Sequence, residues 1–487
     1  MAVNPIKSLA GQTAVYGMGT IIPRLLNYFL VPFYTRIFDQ GAYGQITELY
    51  AYVAFLMVLL TFGMETSFFR YAQKHEQYKV FNNALSSVIV VVVAFLVLLF
   101  ALYAPIARLI QYAGNPEYIL FIGVIVALDA LTAIPFAMLR KLNKARLFAT
   151  IKLANVALNI GLNLLFIIIL PEFSTKLSVA VFGPSSSLVV WVFLSNVFSS
   201  LLSLLMLWPL YAKFKWEVSR SLLRPMVAYA LPVLIVGLAG MINDVSDKIL
   251  LKYLLPDAST AMAKLGIYGA NYKLGILMTL FIQMFRYASE PFFFAEAEKK
   301  NSAELFARVM NYFVVFGLMI FLMVVLYIDV FQYFIGEKYR EGLGIVPIIL
   351  MANLFYGVFY NLSIWYKLTD RTRYGALISI GGAVITIMLN VVLIPISGYY
   401  GASWAHFICY LAMMIVSYMW GQKVYPIPYK LKHIALYTVL AGSIYIVSLL
   451  ISPWGIVFKI ALNTVMFIGF LAFAVIDERK YRPSAQA

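Results

Sequence analysis

The chain has 487 residues, of which 63% are hydrophobic and 12% charged, and its mean hydropathy is +0.87. That leaves too little polar surface for a water-soluble globule, so most of the chain must have lipid as its solvent. The formal charge of +16 is scattered over many short turns, which reads as a topology signal rather than a nucleic-acid footprint.

A helix crosses the hydrocarbon with roughly 20 apolar residues, and only helices or closed barrels satisfy their backbone polar groups there. The unbroken apolar run 88–102 excludes the alternation of a barrel. Fourteen stretches fit a helical span: 11–33, 44–69, 84–105, 118–139, 151–170, 188–211, 226–254, 265–290, 309–334, 344–366, 374–396, 400–421, 434–451 and 456–475. The expectation is an all-α polytopic membrane protein of about 14 transmembrane helices. Lys and Arg concentrate on alternate connections, among them Arg70 and Lys74, Arg140 to Lys152, Lys213 to Arg224, Lys299 to Arg308, Lys367 to Arg373, Lys423 to Lys432 and Arg479 to Arg482. Basic connections stay on the cytoplasmic side, which places both termini there. Contact with anionic membrane lipids is a secondary expectation.

Taken in chain order, the spans contain few charges. Arg24 lies near the middle of the first span beside Pro23, where an ionised side chain costs about 2.5–3.5 kcal/mol on insertion scales. It needs water or a counter-charge, so it either faces a hydrated cavity and an anionic substrate or pairs with an acid such as Glu48. Tyr16 and Tyr28, near Arg24, offer faces for sugar stacking. Glu65 ends the second span, and Asp129 stands isolated in the fourth, a candidate for H+ or Na+ coupling. In the seventh span Asn243, Asp244, Asp247 and Lys248 fall within two turns, and Asp244 and Lys248 have i,i+4 spacing. This cluster reads as an ion-coupling site or gate, or as an outer-end ion pair beside Lys252. Lys273, two turns into the eighth span, is either a second interior cation or a snorkelling side chain. Arg286 and Glu290 follow at i,i+4, which favours an ion pair, and Glu65, Arg286 and Glu290 are candidates for a cytoplasmic gate.

Cys409 is the only cysteine, and His75, His406 and His433 have no metal-ligand spacing. Neither a metal nor another cofactor is expected. The first span reads as a retained helix rather than a cleaved signal. Without a phosphate-binding GxxxxGK[ST] sequence, uphill movement must draw on an ion gradient, the membrane potential or a partner.

The halves repeat weakly. A shift of 225 aligns Tyr43-Gly44 with Tyr268-Gly269, Glu65 with Glu290 and Phe68 with Phe293; shifts of 226–227 align Lys141-Leu142 with Lys367-Leu368 and Leu162-Asn163 with Leu389-Asn390. Six spans separate equivalents, so the repeat is parallel, with the route expected between the halves. The divisions are then 1–224 and 225–433, two parallel-repeat six-helix lobes around a central cavity, and 434–487, two further helices and a cytoplasmic tail. Pro23 and Pro232 are places where the first and seventh helices can bend.

The stretch TIIPRLLNYFLVPFYTRIF with DQGAYGQI and FGMETSFFRYA, then KLNKARLF, KLTDRTRYG and SGYYGASWA, resembles bacterial polysaccharide flippases of the Wzx type. These belong to the multidrug, oligosaccharidyl-lipid and polysaccharide exporter superfamily. The resemblance implies two six-helix lobes around a cavity and movement of an undecaprenyl-diphosphate-linked oligosaccharide from the cytoplasmic to the periplasmic leaflet of the bacterial inner membrane. Alternating access would do this without changing a covalent bond, and Arg24 and Lys273 would contact the diphosphate. The implied partners are the lipid-linked oligosaccharide, membrane lipids and other polysaccharide export and polymerisation proteins. The alternatives are an ion-coupled multidrug/cation antiporter, in which Asp244, Asp129 or Glu48 would outweigh Arg24, and a membrane glycan polymerase or ligase. The latter needs a catalytic outer surface, for which connections of at most about 20 residues leave little room.

Overall fold

A computed structural model describes residues 19, 21–297, 301–451 and 455–481. Among them every regular element is helical, so backbone polar groups are satisfied within each span. Twelve helices are long and apolar enough to cross a membrane. The pair Ala258–Leu274 and Ile276–Phe294, bent by 49°, makes a thirteenth when taken as one span. The first expected span, 11–33, falls partly outside the described residues: 21–28 is helical, Phe29 and Leu30 turn, and Val31–Ile37 is a separate short helix. The expected count of 14 is not reached among the described residues.

The chain divides into two compact units. Unit 1 comprises Met1–Leu30 and Ala42–Lys252. Its long helices are α1 (Gln40–Thr61), continued after a kink by α2 (Met64–Tyr71), then α3 (Gln77–Leu109), α4 (Glu117–Lys141), α5 (Ala145–Asn163), α6 (Val189–Met206) and α7 (Arg220–Leu254). The kink arises at Phe62 and Gly63, both at positive φ. A Cβ on Gly63 would lie 2.6 Å from the Ala230 carbonyl oxygen of α7, so glycine serves both the left-handed turn and the close approach. Beside it Ser67 Oγ donates to the Met226 carbonyl at 2.9 Å, and buried Phe68, Phe81, Leu85, Ile134 and Met138 fill the core. Lipid tails are as apolar as these side chains, so packing and interhelical hydrogen bonds must hold the helices. Asn155 Nδ2 supplies two such bonds from α5 to α6, to the Ser199 carbonyl (2.7 Å) and Ser203 Oγ (3.0 Å). The connection after α5, expected as a loop, forms a helix over Pro171–Phe182 with proline at its first turn.

Unit 2 comprises Val31–Gly41 and Tyr253–Ala487. The segment 31–41 is held by the 3₁₀ stretch Glu337–Ile345 and the glycine before it. The Gly336 amide donates to Thr35 Oγ1 at 2.9 Å, and Tyr339 Oη donates to the carbonyls of Phe38 and Asp39. The remaining long helices are α8 (Ala258–Leu274), α9 (Ile276–Glu296), α10 (Ser302–Leu326), α11 (Val346–Leu362), α12 (Arg373–Ser397), α13 (Tyr399–Val424), α14 (Leu431–Leu450) and α15 (Ile456–Tyr481). Cys409, the only cysteine of the sequence, is buried among Ile378, Tyr410 and Met413.

Candidate functional site

The intramembrane charges described in unit 1 fall in three clusters. The first joins α1, α7 and the turn after α3. Lys252 Nζ lies 3.3 Å from Glu48 Oε2, with the Glu48 side chain 0% and that of Lys252 5% exposed. Tyr112 Oη donates to the same carboxylate at 2.7 Å and Tyr52 Oη at 3.3 Å; the ammonium also donates to the Ile110 carbonyl and sits 4.2 Å above the Tyr112 ring. A buried ion pair persists when further hydrogen bonds occupy its remaining donors and acceptors, as they do here. Glu48 is therefore held by Lys252, and the alternative in which it neutralises Arg24 is not the arrangement found.

The second cluster centres on Lys152, on α5 well inside the span, where the sequence reading had placed it among connection cations. Its ammonium lies 4.1 Å from the Phe136 ring centroid and within electrostatic reach of Asp129, Glu65 and Arg24. Asp129, expected to stand alone, lies near Ser200 of α6 and Lys152. Glu65 Oε1 accepts from Arg140 Nη1 at 2.8 Å, with both side chains nearly half exposed. Arg140 also lies over the Phe69 ring, 4.8 Å from its centroid. Arg24 is exposed. Three cations, Arg24, Lys152 and Arg140, thus face two carboxylates, Asp129 and Glu65. The cluster carries a net positive charge inside a membrane-spanning unit, an arrangement that calls for water or an anion.

The seventh-span cluster differs in detail from the spacing argument. Lys248 Nζ lies 3.3 Å from the Asp247 carboxylate and donates to the main-chain carbonyl of Asp244 at 2.8 Å, while the Asp244 side chain is exposed. Asp247 is the nearly buried partner, so the Asp244–Lys248 side-chain pair is replaced by a neighbour pair and a helix-carbonyl bond. In unit 2, Lys273 is exposed, two residues before the α8–α9 break. The Arg286 guanidinium lies 4.6 Å from the Tyr360 ring centroid. The Glu290 side chain lies outside the described residues, so the expected Arg286–Glu290 pair falls with it; Tyr16, named beside Arg24, also lies outside them. No group of three metal-ligating side chains occurs among the described residues.

Lys152 was expected among the connection cations, and Lys252, expected beside the Asp244–Lys248 cluster, is instead the partner of Glu48. The expected span 226–254 already contained Lys252, but its partner Glu48 is 204 residues away and has no local signal.

Long apolar helices that cross the hydrocarbon and bury ion pairs define a multi-pass membrane protein. In fold the chain is similar to the lipid II flippase MurJ in an inward closed conformation, with a TM-score of 0.67 at 13% identity over 96% of this chain and 99% of that one. It is also similar to an inward-facing multidrug resistance MATE family transporter of the MOP superfamily (TM-score 0.61, 14% identity, 84% of this chain and 97% of that one). A MATE in the straight conformation gives 0.60 at 15% identity over 86% and 96%. Comparison with curated proteins returns no match. The family model described as polysaccharide biosynthesis protein matches residues 9–296, and the chain belongs to that family.

Proposed function

We propose that this chain is a flippase for undecaprenyl-diphosphate-linked oligosaccharide, moving it from the cytoplasmic to the periplasmic leaflet for cell-surface polysaccharide assembly. The observation that carries the proposal is the Arg24–Lys152–Arg140 excess over Asp129 and Glu65, in a member of the polysaccharide biosynthesis family. A diphosphate leaving water loses strong solvation, and fixed cations in a hydrated chamber replace part of it while the polyprenyl tail stays in lipid. Arg24 and Lys152 contact the diphosphate in unit 1, and Lys273 is the candidate diphosphate contact in unit 2. Glu48 and Lys252 close one end of unit 1, Glu65 and Arg140 the other, with Arg286 and Glu290 as the counterpart gate in the second repeat. Asp129, Asp244, Asp247 and Lys248 are the groups through which H+ or Na+ would couple.

The same reading divides the chain into the repeats 1–224 and 225–433 with the tail segment 434–487, places both termini in the cytoplasm of a bacterial inner membrane, and assigns transport rather than catalysis. Membrane lipids and other export and polymerisation proteins are its partners. Likeness in fold to transporters and a flippase supports the class.

The test is reconstitution into vesicles with a fluorescent lipid-linked oligosaccharide, comparing leaflet exchange by the wild type and Arg24→Ala at equal folded protein. Exchange by the wild type and its loss in the variant are expected. Unimpaired exchange in the variant removes Arg24 from the mechanism. Absence of exchange with any glycan-diphosphate lipid, together with ion-driven export of small organic cations, would replace the reading by an antiporter; cleavage or polymerisation of the cargo would replace it by an enzyme.

A further inference from the structure

Unit 2 contains a cleft of about 470 Å³ between α10, α14 and α15, lined by none of the residues of the charge clusters above. Its lining changes character along its length. One end holds Glu304, Arg308, Asn311, Lys430, His433 and Asp477; the other holds Val315, Phe316, Met319 and Leu471. Arg308, Asn311, Val315 and Met319 follow one face of α10, so polar end and apolar end are separated by about 16 Å at the helical rise. A headgroup joined to the start of an acyl chain has this polarity and this reach.

The charges at the polar end narrow the ligand. Asp477 is engaged within the wall, its Oδ2 3.3 Å from His433 Nδ1 and accepting from Tyr437 Oη at 2.9 Å. Arg308 and Lys430 are matched in number by Glu304 and Asp477, so these four side chains leave no surplus to attract an anion. Asn311 Oδ1 is buried and accepts no hydrogen bond from the described residues, although a buried acceptor in lipid wants a donor. The cleft therefore offers cations for a phosphate and acceptors for N–H donors.

We propose that this cleft is a binding site for a zwitterionic phospholipid with an ethanolamine headgroup. The phosphate sits by Arg308 and Lys430, the ammonium donates to Asn311 Oδ1 and Glu304, and an acyl chain runs along Phe316 and Met319. Choline lacks the N–H donors, and a glycerol headgroup leaves a net negative charge; both fit the lining less well. The site does not depend on what cargo the protein moves.

The experiment is native mass spectrometry of the full chain released from nanodiscs of equimolar phosphatidylethanolamine, phosphatidylcholine and phosphatidylglycerol. Ethanolamine lipid should be retained about tenfold over choline lipid, the order expected for one charge-assisted hydrogen bond, with the mono-methylated headgroup between them. Asn311→Leu and Arg308→Ala should each lower that retention about tenfold, and the headgroup series on the wild type stands as a test even where a variant folds poorly. Equal retention of choline lipid, preference for the glycerol lipid, or unchanged retention in folded Arg308→Ala overturns the proposal. So does displacement of ethanolamine lipid by equimolar polyprenyl phosphate, which would assign the cleft to cargo.

Discussion

Lys252 Nζ of α7 meets Glu48 Oε2 of α1 at 3.3 Å, both side chains almost wholly buried, across 204 residues of sequence. The pair ties α7 to α1 within unit 1, and α2 repeats the tie at the other end through Ser67 and Met226. Removing one partner leaves an uncompensated charge, whereas replacing both removes the desolvation cost as well. Lys252→Ala and Glu48→Ala should each destabilise the folded protein by about 3–5 kcal/mol, and the Glu48→Gln/Lys252→Met double variant should recover most of the loss. Unfolding followed in detergent by tryptophan fluorescence measures this; single variants as stable as the wild type would show that the pair contributes nothing to holding α7 on α1.

At Gly63 the backbone has φ of 74°, and an added Cβ would meet the Ala230 carbonyl oxygen and the Val233 side chain. Gly63→Ala therefore brings both a left-handed penalty and a displaced helix, and should destabilise by about 1–3 kcal/mol. Gly161→Ala, at a helical glycine with open space around its Cβ position, should be neutral or slightly stabilising. The folded yield of the two variants after size-exclusion chromatography tests the contrast.

The helical class was legible because apolar runs of span length have one structural solution in lipid, and twelve long helices follow from that constraint. What the runs hid was local. Asn155 and Ser203 read as polar positions in span five and span six, and nothing in either span alone shows that they bond to each other. The Pro171–Phe182 helix was counted as connection because it is too short to cross. Charged side chains were harder still: i,i+4 spacing put Lys248 on the right face but named Asp244, while the helix brought its ammonium to Asp247 and to the Asp244 carbonyl. Partners such as Glu48 and Lys252, or neighbours such as Asp129 and Ser200, are tertiary and have no signature within one span.

Asp257 caps α8, its carboxylate accepting from the Ser259 amide and hydroxyl and from the Thr260 hydroxyl. These bonds, the Ser259 hydroxyl foremost, favour the ionised form and hold the carboxyl below its ordinary range. The cap is therefore fully present above the carboxyl's unfolded value and weakens as pH falls through the lower folded one. Hydrogen exchange at the Ser259 amide should quicken relative to the intrinsic rate in acid and, in Asp257→Ala, at every pH. Protection that stays constant down to low pH would mean that the carboxylate does not cap the helix.

Lys152 stands among Asp129, Glu65 and Arg24, and the flippase reading asks it to hold a diphosphate rather than merely to balance two acids. Those roles separate experimentally. A structural counter-ion is replaced by neutralising the acids with it, so Asp129→Asn/Lys152→Met would then transport as well as the wild type. A phosphate contact is not replaced in that way: Lys152→Met and the double variant should both lose about 10–100-fold in leaflet exchange, the span corresponding to one charge-assisted hydrogen bond, while Lys152→Arg keeps most of it. Exchange rates in vesicles at matched folded protein decide the question, and a double variant with wild-type exchange would confine Lys152 to balancing Asp129.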